Sequence, residues 1–336
     1  MVKIHQKYIS RCIELAKNGL GTTYPNPLVG SVIVHNDLII GEGWHKKSGE
    51  AHAEVNAINS VQNKEVLSES TIYVSLEPCS HFGKTPPCAD LIIQHKIPKV
   101  VIGTMDPFAK VSGAGIKKLK DAGCEVIVGV LERECQELNK RFFTFHQKKR
   151  PYIILKWAET ADGFIAPLHK DIQKPVWISN PYSRQLTHKW RTEEQAILIG
   201  TQTALDDNPQ LNARDWQGTN PIRIVLDKKN KISKENLIFD KSAPTFILDE
   251  IILNSSKNSV SSIIEWLHQH QIQSIIIEGG SRTLQHFINH NYWDEARVFK
   301  SKNTLLNGIK APFISSKKIK NSKLLNDELL IFSNYD

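Results

Sequence analysis

The alternation of apolar and polar positions divides the chain into two stretches, each built of strands and helices in turn. Near the N-terminus Ile4, Tyr8, Cys12, Leu15 and Ala16 recur at helical spacing. Gly19 and Gly21 stop the run, so residues 4–19 predict an amphipathic helix. Leu28–Val34 and Leu38–Gly43 are rich in apolar residues and flank the turn His35-Asn36-Asp37, the pattern of a hairpin. Ala51–Val61 then reads as helix, Thr71–Leu76 as strand, Ala89–His95 as helix and Val100–Gly103 as a short buried strand. Gly115–Ala122 is a further helix and Glu125–Val130 a further strand. This order predicts an α/β/α layered domain whose sheet is mostly parallel beyond the first hairpin.

The tract Gln147-Lys148-Lys149-Arg150-Pro151 is charged and ends in proline, and it marks a boundary between domains at 1–147 and 151–336. The alternation then restarts. Tyr152–Trp157, Ala196–Gly200, Ile222–Asp227 and Ser274–Ile277 read as strands. Pro181–Arg191, Ser261–Gln269 and Thr283–His290 read as helices, with more strands expected towards the C-terminus. Residues 228–258 are rich in Lys, Asn and Ser and read as irregular surface. A length of 336 residues agrees with two domains.

Composition narrows the class. The chain is 40% hydrophobic and 23% charged, as in ordinary globular proteins. No apolar run is long enough to span a bilayer, and the N-terminus lacks a secretory pattern, so a cytoplasmic protein without a membrane partner is expected. The five cysteines are sparse and odd in number, which argues against a disulfide framework. The net charge of +8 fits either a solvated basic surface or an attraction for phosphorylated small molecules. No basic block with interleaved aromatics stands out, so no nucleic-acid partner is expected. A homo-oligomer is the expected assembly.

One constellation carries chemistry. His52-Ala53-Glu54 opens a predicted helix, Pro78-Cys79 follows a predicted strand, and Cys88 comes nine residues after Cys79, just before another helix. A catalytic zinc takes three ligands of nitrogen or sulfur type and keeps a fourth position for water. His52, Cys79 and Cys88 supply that set, whereas a structural site would normally have a fourth ligand. Glu54 is placed to take the water's proton and deliver it to leaving ammonia. The layout is that of nucleobase deaminases, H-x-E followed by P-C-x-x-C, except that eight residues separate the two cysteines.

The longer spacing is itself informative. Asn26-Pro27-x-Val29-Gly30, Gly41-x-Gly43-x-His45, His52-Ala53-Glu54 and the run Glu77-Pro78-Cys79-Ser80-His81-Phe82-Gly83-Lys84-Thr85-Pro86-Pro87-Cys88 resemble the deaminase half of a known family. That family is the bifunctional riboflavin-biosynthesis deaminase/reductase. The resemblance extends through Lys156-x-Ala158, Asp162-Gly163, Trp177-Ile178-Ser179, Gly200-Thr201-x-Thr203, Asp206-Asp207-Asn208-Pro209-x-Leu211 and Glu278-Gly279-Gly280-Ser281. It implies a cytidine-deaminase-like α/β/α sandwich followed by a dihydrofolate-reductase-like α/β domain. The implied cofactors are Zn2+ and NADPH, and the implied substrates are phosphoribosylated pyrimidines. The first reaction would deaminate 2,5-diamino-6-(5-phosphoribosylamino)pyrimidin-4(3H)-one. The second would reduce the ribosyl group of 5-amino-6-(5-phosphoribosylamino)uracil to ribityl.

Roles follow position by position. His81, Lys84 and Thr85 offer an imidazole, a cation and a hydroxyl that suit a ribose phosphate. The resemblance adds Asn26 and His45 as deaminase substrate contacts, although Asn26 between two prolines also fits a plain turn and His45 a surface histidine. It assigns NADPH to Ala158, Trp177, Thr203, Asp207 and the run Gly280, Ser281, Arg282, Thr283, Leu284, Gln285 and His286. It assigns the reductase substrate to Pro175, Arg191, Leu211, Arg214 and Glu278, with the two arginines suited to phosphate. Glycines before the Thr283–His290 helix let a backbone approach a pyrophosphate. The chain departs from the pattern at Pro175, where a polar residue is usual, and at Thr160-Ala161. Asp106-Pro107 and Val111-x-Gly113-x-Gly115 also belong to the pattern and read as loop turns.

Overall fold

The computed structural model describes residues 2–80, 86–108, 113–256 and 258–334. The contacts expected of His81, Lys84 and Thr85 lie outside the described residues. The chain forms two compact units, Met1–Lys149 and Arg150–Asp336.

In the first unit α1 (Val2–Ala16) precedes the hairpin β1 (Gly30–His35) and β2 (Leu38–Trp44). Then come α2 (Ala53–Ser60), β3 (Thr71–Leu76), α3 (Cys88–Gln94), β4 (Lys99–Thr104), α4 (Ala114–Asp121) and β5 (Glu125–Val128). The sheet order is β2-β1-β3-β4-β5, antiparallel on both sides of β1 and parallel from β3 to β5. One face packs Ile33, Ile72, Val74 and Ile102 against α2, α3 and α4. The other packs Val32, Val34, Tyr73 and Val101 against Tyr8, Ile9 and Cys12 of α1. The expected α/β/α sandwich is therefore present. Two helices were not anticipated, α5 (Glu132–Leu138) and α6 (Lys140–Lys148). They meet at Asn139, whose amide pairs with the backbone of Leu28 in both directions, 2.8 Å each.

Glycines in β2 set the approach of α2. A Cβ on Gly43 would stand 2.4 Å from the Ala57 nitrogen and 2.6 Å from the Ala53 oxygen. Only a residue without a side chain lets the helix lie so close to the strand. His45, just past the end of β2, donates its N–H to the Val29 carbonyl at 2.9 Å. Strand end and helix start thus come together.

The second unit begins with β6 (Tyr152–Glu159), β7 (Phe164–Ala166), α7 (Pro181–Glu193), β8 (Ala196–Gly200), α8 (Thr201–Asp207) and β9 (Ile222–Leu226). It continues with β10 (Thr245–Leu248), α9 (Glu250–Leu253), α10 (Ser259–Gln269), β11 (Ser274–Ile277), α11 (Ser281–Asn289) and β12 (Glu295–Lys300). It ends in β13 (Ile309–Lys310), β14 (Lys317–Leu324) and β15 (Asp327–Ser333). Eight strands form one sheet in the order β10-β9-β8-β11-β6-β12-β15-β14, parallel from β10 to β12. β15 and β14 add antiparallel at one edge. Buried apolar residues cover both faces, with α10 and α11 on one and α7 and α8 on the other.

The tract 228–258 is a correction: it is not irregular throughout. It contributes β10, which pairs with β9 in parallel register, Thr245 to Arg223, and the short helix α9. Its four residues, Thr245-Phe246-Ile247-Leu248, are a short strand-like run inside an otherwise polar tract, and at a sheet edge they need only one neighbour.

Candidate metal centre and reductase cavity

His52 is the N-cap residue of α2, Cys88 is the first residue of α3, and Cys79 follows β3. Three separate elements therefore deliver one donor each. The His52 ring nitrogen Nδ1 lies 3.6 Å from the Cys79 sulfur and 3.3 Å from the Cys88 sulfur. All three donor atoms lie within 4.8 Å of one another. Two thiols and an imidazole are a borderline-soft donor set that suits zinc and not a hard, oxygen-seeking cation. Among the described residues the cluster has three members, the number found where a position is kept open for chemistry.

Local hydrogen bonds prepare the sulfurs. The Cys88 backbone N–H donates to the Cys79 sulfur at 3.2 Å, and the Ala89 N–H donates to the Cys79 carbonyl at 3.1 Å. The hydrogen bond from the Cys88 thiol, with the His52 ring and that N–H adding to it, outweighs burial and holds the Cys79 thiol down to about 4. The same thiol–thiol bond and burial push Cys88 up. A dication drawn between them favours loss of that second proton. Glu54, in the first turn of α2, is only 3% exposed. Burial, with the Cys79 charge adding, raises its carboxyl to about 7. That is the range a proton shuttle needs at neutral pH.

Asn26 and His45 come together beside this cluster. The Asn26 amide nitrogen lies 3.0 Å from His45 Nε2, and His45 Nδ1 lies 3.1 Å from the Ala51 carbonyl. The carbonyl of Ala51 can only accept, so Nδ1 carries the proton, and the Asn26 NH2 donates to Nε2, which leaves the ring neutral. Burial lowers the His45 pKa in the same sense. Both ring nitrogens are thus engaged within the protein. His45 is no surface histidine: it is buried, its ring 5.3 Å from that of His52, and it orients Asn26.

In the second unit a cavity of about 1160 Å³ opens at the carboxyl ends of β6, β8, β9 and β11. That edge is where parallel α/β sheets bind ligands. The expected residues Ala158, Trp177, Thr203, Asp207, Gly280, Ser281, Arg282 and Thr283 line it, as do Pro175, Arg191, Leu211, Arg214 and Glu278. Three expected cofactor contacts do not reach it. Leu284 is fully buried in the apolar core, Gln285 is tied to the backbone of Phe313, and His286 faces the Ser259 hydroxyl. A helix turns its side chains away after one turn, so only the start of α11 faces the cavity.

Several charges in this cavity are already paired. The Arg191 guanidinium meets Glu278 as a fork, Nε to Oε1 at 3.1 Å and a terminal nitrogen to Oε2 at 2.9 Å. It also donates to the Asn212 carbonyl at 3.0 Å. Arg191 lines the cavity as expected, and here Glu278 takes the fork geometry that a phosphate would use. Lys156 Nζ stands 3.8 Å from Glu278. Burial alone would raise Glu278, but Arg191 and Lys156 outweigh it and hold the carboxylate down to about 2. Burial lowers the Lys156 pKa; Glu278 opposes that shift and Arg191 adds to it. Asp207 is likewise paired, with Lys170.

Three lining residues had been missed or undervalued. Lys156 interrupts the apolar strand Tyr152–Trp157, and that interruption was a usable signal. Arg184 and His188 share the helical face of Arg191, at spacings of three and four residues. The Arg184 guanidinium lies 4.4 Å from the centre of the Trp177 ring. Burial, with Arg191 adding and Asp215 opposing, lowers His188 to about 4.

Comparison with known proteins agrees with both sites. A family described as the cytidine and deoxycytidylate deaminase zinc-binding region matches residues 2–104, and the RibD C-terminal domain matches residues 151–305. The riboflavin biosynthesis protein RibD of Aquifex aeolicus is 36% identical over 98% of each chain. That of Actinobacillus pleuropneumoniae is 40% identical over 82% of this chain and 77% of its own. The crystal structure of a diaminohydroxyphosphoribosylaminopyrimidine deaminase/5-amino-6-(5-phosphoribosylamino)uracil reductase from Thermotoga maritima superposes with a TM-score of 0.90. It is 37% identical and 99% of each chain is covered. With three zinc-type ligands gathered in the first unit and a paired-charge cavity at the sheet edge of the second, the chain belongs to the RibD family, the bifunctional zinc-dependent deaminases and NADPH-dependent reductases of riboflavin biosynthesis.

Proposed function

We propose that residues 1–147 deaminate 2,5-diamino-6-(5-phosphoribosylamino)pyrimidin-4(3H)-one and that residues 151–336 reduce the product. The observation that carries the reading is the cluster of His52, Cys79 and Cys88 with buried Glu54 beside it. His52, Cys79 and Cys88 would hold the zinc, which would supply the Lewis acidity that makes a water a nucleophile at neutral pH. Glu54 takes a proton from the attacking water and hands it to the departing ammonia at the pyrimidine carbon that bears the 2-amino group. Its raised pKa lets it do both near neutrality. Asn26, oriented by His45, offers its amide to the pyrimidine. His81, Lys84 and Thr85 remain the groups we assign to the ribose phosphate.

In the second half NADPH supplies a hydride. With the cofactor bound, that hydride would join C1′ as its bond to the ribose ring oxygen O4′ breaks, and O4′ would take a proton. Lys156 is the buried cavity group suited to hold that proton, and Glu278 keeps it in place. The backbone N–H groups at the start of α11 suit the cofactor's phosphates, since Gly280 precedes the helix without a side-chain cap. Arg214, exposed on the cavity rim, is the remaining candidate for the substrate phosphate. A cytoplasmic homo-oligomer with no nucleic-acid or membrane partner is part of the same proposal. No helix among the described residues is long and apolar enough to cross a membrane.

A coupled assay with the diaminopyrimidine ribotide and NADPH, following ammonia and NADPH separately, tests the reading. Ammonia release without NADPH, and NADPH loss only after ammonia release, are expected. NADPH loss that precedes ammonia release would reverse the order proposed here.

A further inference from the structure

Glu77 joins β3 to Pro78 and the ligand Cys79, and the reactions above give it no task. Its carboxylate is buried, 4% exposed. It accepts four backbone N–H groups. Oε1 accepts from Gly115 at 3.0 Å and Ile116 at 3.3 Å, and Oε2 accepts from Gly113 at 3.0 Å and Asp106 at 3.3 Å. Three of these donors lie at the start of α4, whose N-cap residue, Gly113, offers no side chain to cap it. A carboxylate from a distant strand thus fills the place of a local cap. The motifs Asp106-Pro107 and Gly113-x-Gly115 acquire a reason: they present the amides that this one side chain collects.

The clamp bears on the metal ligands. A Cβ on Gly115 would stand 2.1 Å from the Pro78 carbonyl oxygen, so α4 lies directly behind the peptide that leads into Cys79. Lys118 of α4 also pairs with Asp90 of α3, the helix that begins with Cys88. From its other side Cys79 is held by the amides of Cys88 and Ala89.

We propose that Glu77 is a positioning residue of the deaminase: by pinning the start of α4 behind Pro78, it directs the Cys79 thiolate at the metal. The inference rests on the zinc-deaminase reading given above. A glutamine at position 77 keeps the shape but turns an NH2 group, itself a donor, towards two of the four N–H donors. The second support of α4 is then lost while Cys79 itself is untouched.

The test uses the full chain loaded with Co(II) in place of zinc, with chelator competition for affinity and the thiolate-to-cobalt absorption for geometry. Glu77→Gln should weaken metal binding about 10–100-fold, the range for groups that orient ligands from behind. It should also shift the thiolate band, while NADPH oxidation with deaminated substrate stays unchanged. Gly115→Ala, which leaves the carboxylate whole and presses on Pro78, should shift the same band. A Glu77→Gln chain whose affinity stays within about twofold and whose band is unmoved overturns the inference, whatever its turnover. If that variant fails to fold in its first half, an unmoved band in Gly115→Ala overturns it instead. A wild-type chain without a thiolate band, or a Cys79→Ser chain that retains it unchanged, would instead sink the zinc reading, and the clamp with it.

Discussion

The two halves build their sites in opposite ways. In the first, chemistry sits in four side chains, and three ligand atoms share a sphere of 4.8 Å. In the second, about 1160 Å³ of space is lined by strand ends, a helix start and one face of α7, and Arg191, Lys156, Glu278, Lys170 and Asp207 are already paired with one another. A metal site needs donors of fixed kind at fixed distances, so each is a single point of failure. A site for a cofactor that brings its own reactivity needs shape and field, which many residues share. Apart from the proton donor Lys156, single substitutions should therefore act nearly all-or-none in the first half and by degrees in the second.

The largest effects are expected at the first site. Cys79→Ser removes one of two thiolates and should empty the site, so that zinc content by elemental analysis and ammonia release fall together. Glu54→Gln should separate them, with zinc retained and ammonia release reduced by roughly 10²–10⁴-fold. Neither change should alter NADPH oxidation when deaminated substrate is supplied. If Glu54→Gln also loses its zinc, Glu54 supports the ligands rather than shuttling protons, and the contrast between halves weakens.

At the second site Lys156→Met should lower NADPH oxidation by roughly 10²-fold, the low end for loss of a general acid. Ammonia release should be untouched. The substitution leaves Glu278 its fork with Arg191, so the half should still fold. Glu278→Ala should cost more in stability than in recognition. It strands two buried cations, and removing one partner of a buried pair costs about 3–5 kcal/mol. Thermal unfolding of the two variants should rank them in that order; a Lys156→Met chain as unstable as Glu278→Ala would show that the lysine is structural.

This contrast also governs what could be read from residues alone. The metal ligands were legible because their types and spacing are dictated by chemistry. The hairpin and the β3–β5 alternation were legible because their faces are buried in a regular way. The charged segment from Glu132 to Lys148 hid two helices, since its buried aromatics Phe142, Phe143 and Phe145 stand nearly in a row and not in a stripe. β10 was hidden although Thr245-Phe246-Ile247-Leu248 is itself strand-like, because the polar residues around so short a run set the reading of the whole tract. In the cavity, Arg184 and His188 are ordinary polar residues until the fold gathers them, whereas Lys156 stands out as a break in an apolar strand. Arg191 was assigned to the substrate by resemblance, and its pairing with Glu278, distant in sequence, could not be read from the residues.

A smaller effect concerns pH. The folded chain holds His188 near 4 against an ordinary value of 6.5. Below 6.5 the unfolded chain takes up a proton that the folded chain refuses, so acidification favours unfolding. Stability contributed by neutral His188 is thus present above 6.5, lost as pH falls through 6.5 to about 4, and constant below that. The slope integrates to at most about 3 kcal/mol. His188→Gln should flatten the stability of the second half across this window in denaturant titrations. A slope that survives the substitution would have to come from another group.

The smallest effect is expected at Arg184, and it bears most directly on whether the cavity works by degrees. Its guanidinium lies over Trp177, which is 52% exposed on the cavity wall. A cation over an exposed aromatic ring is worth about 0.5–1 kcal/mol. Arg184→Met keeps most of the stem and removes only the charge, so the ring would lose its support without losing its place. Such a loss weakens ground state and transition state alike, and therefore raises KM and spares kcat. The KM for NADPH should rise about two- to fivefold. A fall in kcat of about 100-fold at unchanged KM would mean that Arg184 meets charge developing in the reaction. The second site would then depend on single side chains as sharply as the first.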